Sequence, residues 1–225
     1  MNLAENIRVV KERIDRAAIK SGRSSSEIML VAVSKTVDID IISQAYELGL
    51  RNFGENRVQE LKLKQQKLSD ADWHMIGRLQ TNKVKDVVGN LKLIHSMDRW
   101  NLAEELNRRG KHLGLEVAVL LQVNVSGEKQ KAGICPADVD QFLKSAGELK
   151  YLNIQGFMTM APLVENPEEV RPIFRELFEL KKHLSKNVYH NVQLQYLSMG
   201  MSQDYEIAIE EGANIVRVGT AIFNA

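Results

Sequence analysis

Lys35 ends an apolar run, Met29-Leu30-Val31-Ala32-Val33-Ser34-Lys35. Consecutive apolar β-formers read as a strand buried on both faces, as in a parallel sheet. A charged amine at the end of such a strand either reaches water or has chemistry to do, and position alone leaves both readings open. In a barrel of parallel strands, chemistry sits at the C-terminal strand ends. A partly desolvated lysine there has a lowered pKa and attacks carbonyls, so Lys35 is a candidate for Schiff-base formation. Two segments near the C-terminus look built for phosphate: Ser198-Met199-Gly200-Met201-Ser202 and Arg217-Val218-Gly219-Thr220-Ala221. Glycine lets backbone amides approach a ligand, and hydroxyls donate hydrogen bonds. The helix expected from near Gln203 adds unpaired amides and the positive end of its dipole. Each pentapeptide taken singly is an ordinary turn; at the last two strand ends, beside Lys35 around a closed barrel, they predict a phosphate clamp.

These residues need a scaffold that brings them to one rim. Strand-like runs begin with the one carrying Lys35 and continue at Asn52-Phe53-Gly54, Trp73 to Ile76, Leu93 to Ser96, Val117 to Val123, Ile154 to Met158, Leu194 to Met199 and Ile215 to Val218. The second is weak and is supported partly by the alternation around it. Helical spacing marks an opening helix through Leu3, Ile7, Val10, Ile14 and Ala18, stopped by Gly22. It recurs in Ile41 to Leu48, Val58 to Leu68, Val84 to Val88, Leu102 to Leu106, Val139 to Leu149, Val170 to Leu184 and Tyr205 to Ile209. Gly49, Gly110 and Gly212 are expected to close three helices, with Asp98 and Ser202 as N-caps of others. Ser24 to Glu27 has capping-box spacing but precedes a strand, so no cap is expected there. Eight strands alternating with helices predict an α/β fold, a (β/α)8 TIM barrel with an additional N-terminal helix, as one domain over residues 1–225. No Gly-x-Gly-x-x-Gly segment supports an open dinucleotide-binding sheet. Only one short turn follows the eighth strand, so the opening helix is expected to fill the last place in the outer ring.

A phosphate clamp beside an amine nucleophile suits a phosphate-bearing aldehyde, and pyridoxal 5′-phosphate (PLP) fits. An ordinary lysine is neutral in about one molecule in two thousand at pH 7, and each pKa unit removed makes the free amine about tenfold commoner. Burial and the cation of Arg217 would both push that way. A Schiff-base aldolase using the same lysine and turns without PLP is the alternative, separable by the visible colour of a pyridoxal imine.

Ala32-Val33-Ser34-Lys35, Phe53-Gly54-Glu55-Asn56, Trp73 through Lys83, Gly156-Phe157-Met158-Thr159-Met160, Leu197 through Ser202 and Val216 through Thr220 fall in order on nearly every strand. Over the whole chain this pattern resembles the pyridoxal phosphate homeostasis protein family, single-domain relatives of the alanine racemase N-terminal barrel. The resemblance implies that Lys35 carries PLP as an internal aldimine. It implies phosphate contacts from Ser198, the Met199-Gly200 backbone, Gly219 and Thr220, with Arg217 facing the pyridine nitrogen and Asn56 beside the lysine and ring. It assigns no role to His74 or to Asn82-Lys83.

An arginine, all donors, cannot stabilise a proton on the pyridine ring, so the electron sink is weak. In the racemases a tyrosine-bearing second domain supplies an acid–base group; here the tyrosines read as structural, with Tyr205 the one placed to line the pocket. The expected function is therefore intracellular PLP (vitamin B6) homeostasis, buffering the cofactor or delivering it to PLP-dependent apo-enzymes with little or no catalysis. A slow PLP-dependent amino-acid racemase or lyase is the alternative.

Composition narrows the partners. Thirty lysines and arginines against 29 acids give no general field for nucleic acid or anionic membrane. The run Lys62 to Lys67 reads as a solvated helix face. No apolar stretch approaches the ~20 residues of a spanning helix, and no secretion signal opens the chain. Cys135 is the one cysteine, which excludes a disulfide framework and favours the cytoplasm. The histidines lack ligand spacing, so no metal is expected, and His95 reads as structural or mouth-lining. A monomer is expected, since no apolar stripe stands out on the helix faces.

Overall fold

The computed structural model describes residues 2–128 and 130–224. The strands are β1 (Met29–Val33), β2 (Asn52–Glu55), β3 (Asp72–Met75), β4 (Leu93–Met97), β5 (Val117–Gln122), β6 (Leu152–Met158), β7 (Val192–Ser198) and β8 (Ile215–Val218). They form a closed parallel barrel in sequence order, with β8 pairing back onto β1 in the register Ala32↔Val218. Closure puts the ends of β1 and β8 side by side, as the expected site requires. The weakly signalled β2 pairs with both neighbours through Phe53, Ala32↔Phe53 on one side and Phe53↔Trp73 on the other.

The helices are α1 (Leu3–Lys20), α2 (Ile39–Glu47), α3 (Val58–Lys67), α4 (Trp100–Leu113), α5 (Val139–Ala146), α6 (Arg171–Leu184), α7 (Tyr205–Glu210) and α8 (Thr220–Phe223). Between β3 and β4 the expected helix is instead a 3₁₀ segment, Thr81–Asp86. As expected, α1 covers the place beside the short α8. Its Ile7, Val10, Ile14, Ala17 and Ala18 are buried, each larger side chain contributing about 1.5–3 kcal/mol. The Asn6 amide donates to the Ile222 carbonyl at 3.0 Å, and Arg13 Nε reaches Glu206 at 3.0 Å. Arg23, just past α1, donates to the carbonyls of Ala213 and Ile209 and so ties off the end of α7.

Several local expectations are corrected. Ser24 and Glu27 do form a capping box, around a 3₁₀ turn that leads directly into β1. Gly110 lies inside α4; a Cβ there would sit 2.8 Å from the Leu115 carbonyl oxygen, so close packing selects glycine. Gly114, left-handed at φ 67°, ends that helix. Arg99, not Asp98, is the N-cap of α4, and Asp204, not Ser202, that of α7, because both expected caps are engaged elsewhere.

Most of the core lies between barrel and helices, while a smaller cluster of Val31, Leu93, Leu120, Met158 and Ile215 fills the barrel floor. Two residues along from Leu93 and Ile215, on the same inward faces, come His95 and Arg217. The barrel interior thus changes from apolar to polar toward the C-terminal rim.

Candidate functional site

Lys35 occupies the tip of a tight turn closing β1. The Val37 amide bonds back to the Ser34 carbonyl at 3.0 Å, and Thr36 takes a left-handed φ of 63°. A β-branched residue is strained there and persists only when its surroundings hold it. The hold comes from beneath. Ser34 is fully buried; its amide pairs with the Gly54 carbonyl, and its hydroxyl donates to Glu55 Oε1 at 2.6 Å. Lys64 Nζ reaches both Glu55 Oε1 and the Ser34 carbonyl at 2.7 Å. Lys35 itself is exposed, so the partial burial expected of it is corrected. The strand is buried, but the turn lifts the following side chain to the rim.

Glu55 and Lys64 were missed by sequence reasoning. The expected solvated face from Lys62 to Lys67 holds a buried cation, because Val58, Leu61 and Lys64 succeed one another at helical spacing on the inner side of α3. That spacing, with a carboxylate on the preceding strand, is the signal in the sequence.

The turns after β7 and β8 clasp each other. Ser202 Oγ accepts from the amides of Gly219 at 3.2 Å and Ala221 at 3.4 Å, and the Arg217 amide donates to the Gly200 carbonyl at 3.0 Å. Gly200 has φ 94°, and a Cβ there would lie 2.6 Å from that of Ala208. At Gly219 a Cβ would meet the Val33 carbonyl oxygen at 3.1 Å, so the β8 turn lies directly against the strand bearing Lys35. Thr220 is exposed at the same rim, while Met199 is buried and presents only backbone. Asn56, exposed, follows β2 on the other side of β1.

Below the rim a chain of hydrogen bonds crosses the barrel. Arg217 donates to Ser198 Oγ at 2.6 Å and to the Thr159 carbonyl at 2.9 Å. Ser198 Oγ lies 2.9 Å from His95 Nδ1, His95 Nε2 lies 3.0 Å from His74 Nδ1, and His74 Nε2 lies 3.0 Å from Asn52 Oδ1. Arginine can only donate, so Ser198 accepts from it, and Asn52 Oδ1 can only accept, so with both imidazoles neutral the protons run from Ser198 through His95 and His74 toward Asn52. Each neutral imidazole then carries its proton on Nε2, and the chain ends on the Asn52 carbonyl oxygen. Burial, helped by the Lys92 charge, pushes His74 down to about 3, and burial holds His95 well below the usual histidine range. Burial brings Arg217 down to about 10, opposed by Asp204, so it stays cationic at neutral pH. The Ser198 hydroxyl is thus spent on His95 and Arg217. Its side chain thereby holds the Arg217 guanidinium.

Tyr205 is buried on the α1 side, its ring under the Arg13 guanidinium at 5.6 Å, rather than lining the pocket. Among the described residues no cluster of three or more His, Cys, Asp or Glu is placed to hold a metal, and no helix is long and apolar enough to cross a membrane.

Residues 1–225 match the family model described as alanine racemase, N-terminal domain. An alanine racemase from Clostridium difficile 630 in complex with cycloserine shares the fold at TM-score 0.73 and 16% identity, over 97% of this chain and 59% of that one. Fold and rim therefore define the class: a single barrel of the alanine racemase N-terminal type. The pyridoxal phosphate homeostasis protein of Aquifex aeolicus (strain VF5) is 47% identical over 225 residues, covering 99% of this chain and 98% of its own. The protein of that name from Pseudomonas aeruginosa is 40% identical over 226 residues, 99% of this chain and 95% of its own. PipY of Synechococcus elongatus PCC7942, solved with PLP bound, is 36% identical with TM-score 0.86, covering 99% of this chain and 100% of that one. The chain belongs to the pyridoxal phosphate homeostasis protein family.

Proposed function

We propose that the protein binds pyridoxal 5′-phosphate covalently through Lys35 and serves vitamin B6 homeostasis, holding, buffering and delivering the cofactor with little or no turnover. The observation that carries this reading is the contact of the Gly219 turn with Val33, two residues before Lys35, which brings the glycine turn after β8 against the strand that ends in the lysine. The donor set fits the group: a rim lysine for the aldehyde, the Gly200 amide with Thr220 for the phosphate, and Asn56 for the ring, with the Met199 and Gly219 amides holding the clamp together through the Ile215 carbonyl and Ser202 Oγ. When bound, PLP supplies an aldehyde for capture by an amine and a ring that accepts electrons. Arg217, held by Ser198 and Thr159, would present donors and a positive charge to the pyridine nitrogen, which would then stay unprotonated. With the exposed Lys35 in contact with water, the rim favours exchange of the cofactor over catalysis that depends on a dry site. The protein acts as a cytoplasmic monomer, to which a lone free thiol at Cys135 is suited, and passes PLP to apo-enzymes.

Mixing the protein with equimolar PLP should give a visible absorption band that Lys35→Ala removes. Incubation with single amino-acid enantiomers should give no racemisation beyond that of free PLP. Absence of the band would refute the site, and turnover abolished by Lys35→Ala would make the protein an enzyme.

A further inference from the structure

In the longest motif of the chain, Trp73 through Lys83, His74 joins the hydrogen-bond chain behind the cofactor site, and the second half has no part in it. That second half lines part of a cavity of about 660 Å³ opening on the β2–β3 side of the rim. Asn56 and Arg57 after β2, Arg78, Gln80, Asn82 and Lys83 after β3, and Arg99 after β4 are among its lining residues. No carboxylate is among the lining residues. Four cations around one cavity, in a chain whose net charge is only +1, form a local excess rather than a share of a general field.

The helix ends sharpen this. Arg57 is the N-cap of α3 and Arg99 that of α4, and neither helix has a side-chain cap. Helix N-termini favour acidic or hydroxyl caps, and a cation there opposes the dipole. Two arginines at N-caps bordering the same cavity therefore form an arrangement that a bound anion stabilises. The internal carboxylates meet only part of the charge. Asp98 serves both Arg99 and Arg78, the latter at 3.4 Å, and Glu60 lies 3.7 Å from Arg57.

The walls are preformed. At Gly77 a Cβ would lie 2.4 Å from the Asn56 carbonyl oxygen, so the loops after β2 and β3 meet backbone to backbone. Ser96 donates to the Gly77 carbonyl at 2.6 Å, and Arg99 to the Leu79 carbonyl at 2.8 Å. The volume falls in the range of small-molecule sites, and no aromatic side chain lines it to stack a nucleobase. Guanidinium forks match carboxylate and phosphate alike.

We infer that this cavity is a second ligand site, taking a compact multivalent anion, a polycarboxylate or a phosphate ester, next to the cofactor rim. It rests on the PLP reading only for its neighbour, since none of its cationic residues is assigned to the cofactor.

The test uses protein loaded with PLP and reduced with borohydride, so that the cofactor's phosphate turns are already filled. Titration calorimetry at low ionic strength with citrate and, separately, inorganic pyrophosphate distinguishes the carboxylate and phosphate sources. We expect one saturable site per chain for at least one probe, weakened tenfold or more by Arg78→Gln with Lys83→Gln. Arg57→Gln, after β2, should weaken it too. Melting curves confirm that the variants fold; both altered side chains of the double variant lie at the rim. Saturation by neither probe, or affinity unchanged in the double variant, overturns the inference. A missing pyridoxyl adduct would count against the Lys35 reading alone, because the difference between wild type and double variant still locates the anion.

Discussion

Ser198 links the buried and the exposed halves of the site, because its one hydroxyl both accepts from Arg217 and donates to His95. Ser198→Ala removes that link and leaves a buried imidazole nitrogen without a donor. The expected cost is about 1–3 kcal/mol, read from the urea midpoint, with faster loss of PLP as Arg217 loosens. A change below ~0.5 kcal/mol, typical of uninvolved surface positions, would contradict the role. The histidines give a pH signature. Folded His74 is held to about 3 against an ordinary 6.5, so between these values the unfolded chain takes up a proton that the folded chain refuses. Stability therefore falls as pH falls through that window, by about 1.4 kcal/mol per unit for this residue. Urea titrations at pH 7 and pH 5 should show a flatter pH dependence in His74→Gln than in wild type; equal slopes would contradict it. Lys35 and the glycine–hydroxyl turns were legible because each breaks its local pattern. The histidine chain was not, although His95 and Arg217 stand at alternate positions from the inward Leu93 and Ile215. Inside a doubly buried strand, only closure of the barrel shows which polar residues meet.

At the scale of elements, α3 does more than cover the sheet. Lys64 reaches under β1 and β2 to Glu55 and the Ser34 carbonyl, and so steadies the strained turn that presents Lys35. Lys64→Met leaves the fully buried Glu55 carboxylate unpaired and should cost about 3–5 kcal/mol. Adding Glu55→Leu should recover much of that loss, since a well-packed apolar pair replaces a buried ion pair at little cost. Denaturant titration of the single and double variants measures both, and additive losses would contradict the coupling. Strand positions were readable here because apolar runs of that length bounded by turns leave few choices. Helix ends were less so. Gly110 was expected to end α4 because glycine usually marks a terminus, whereas tertiary contact with the Leu115 carbonyl selects it mid-helix. The 3₁₀ segment after β3 mimics helical spacing over too few residues to be told apart.

The whole molecule depends on α1 to finish the ring. It seats its apolar face on α7 and α8, the short elements that follow the turns after β7 and β8. Deleting residues 2–23 should abolish cooperative thermal unfolding, because Ile7, Val10 and Ile14 then no longer cover the barrel beside those turns; retention of a sharp transition would show that α1 is peripheral. That packing also sets the β7 and β8 turns against β1, so closure of the ring and the shape of the proposed cofactor rim depend on each other. The most direct measurement is borohydride reduction at equimolar PLP followed by peptide mass mapping. The account predicts a pyridoxyl group on the peptide containing Lys35 and no other. Label spread over surface lysines, or carried by another lysine in place of Lys35, would contradict it.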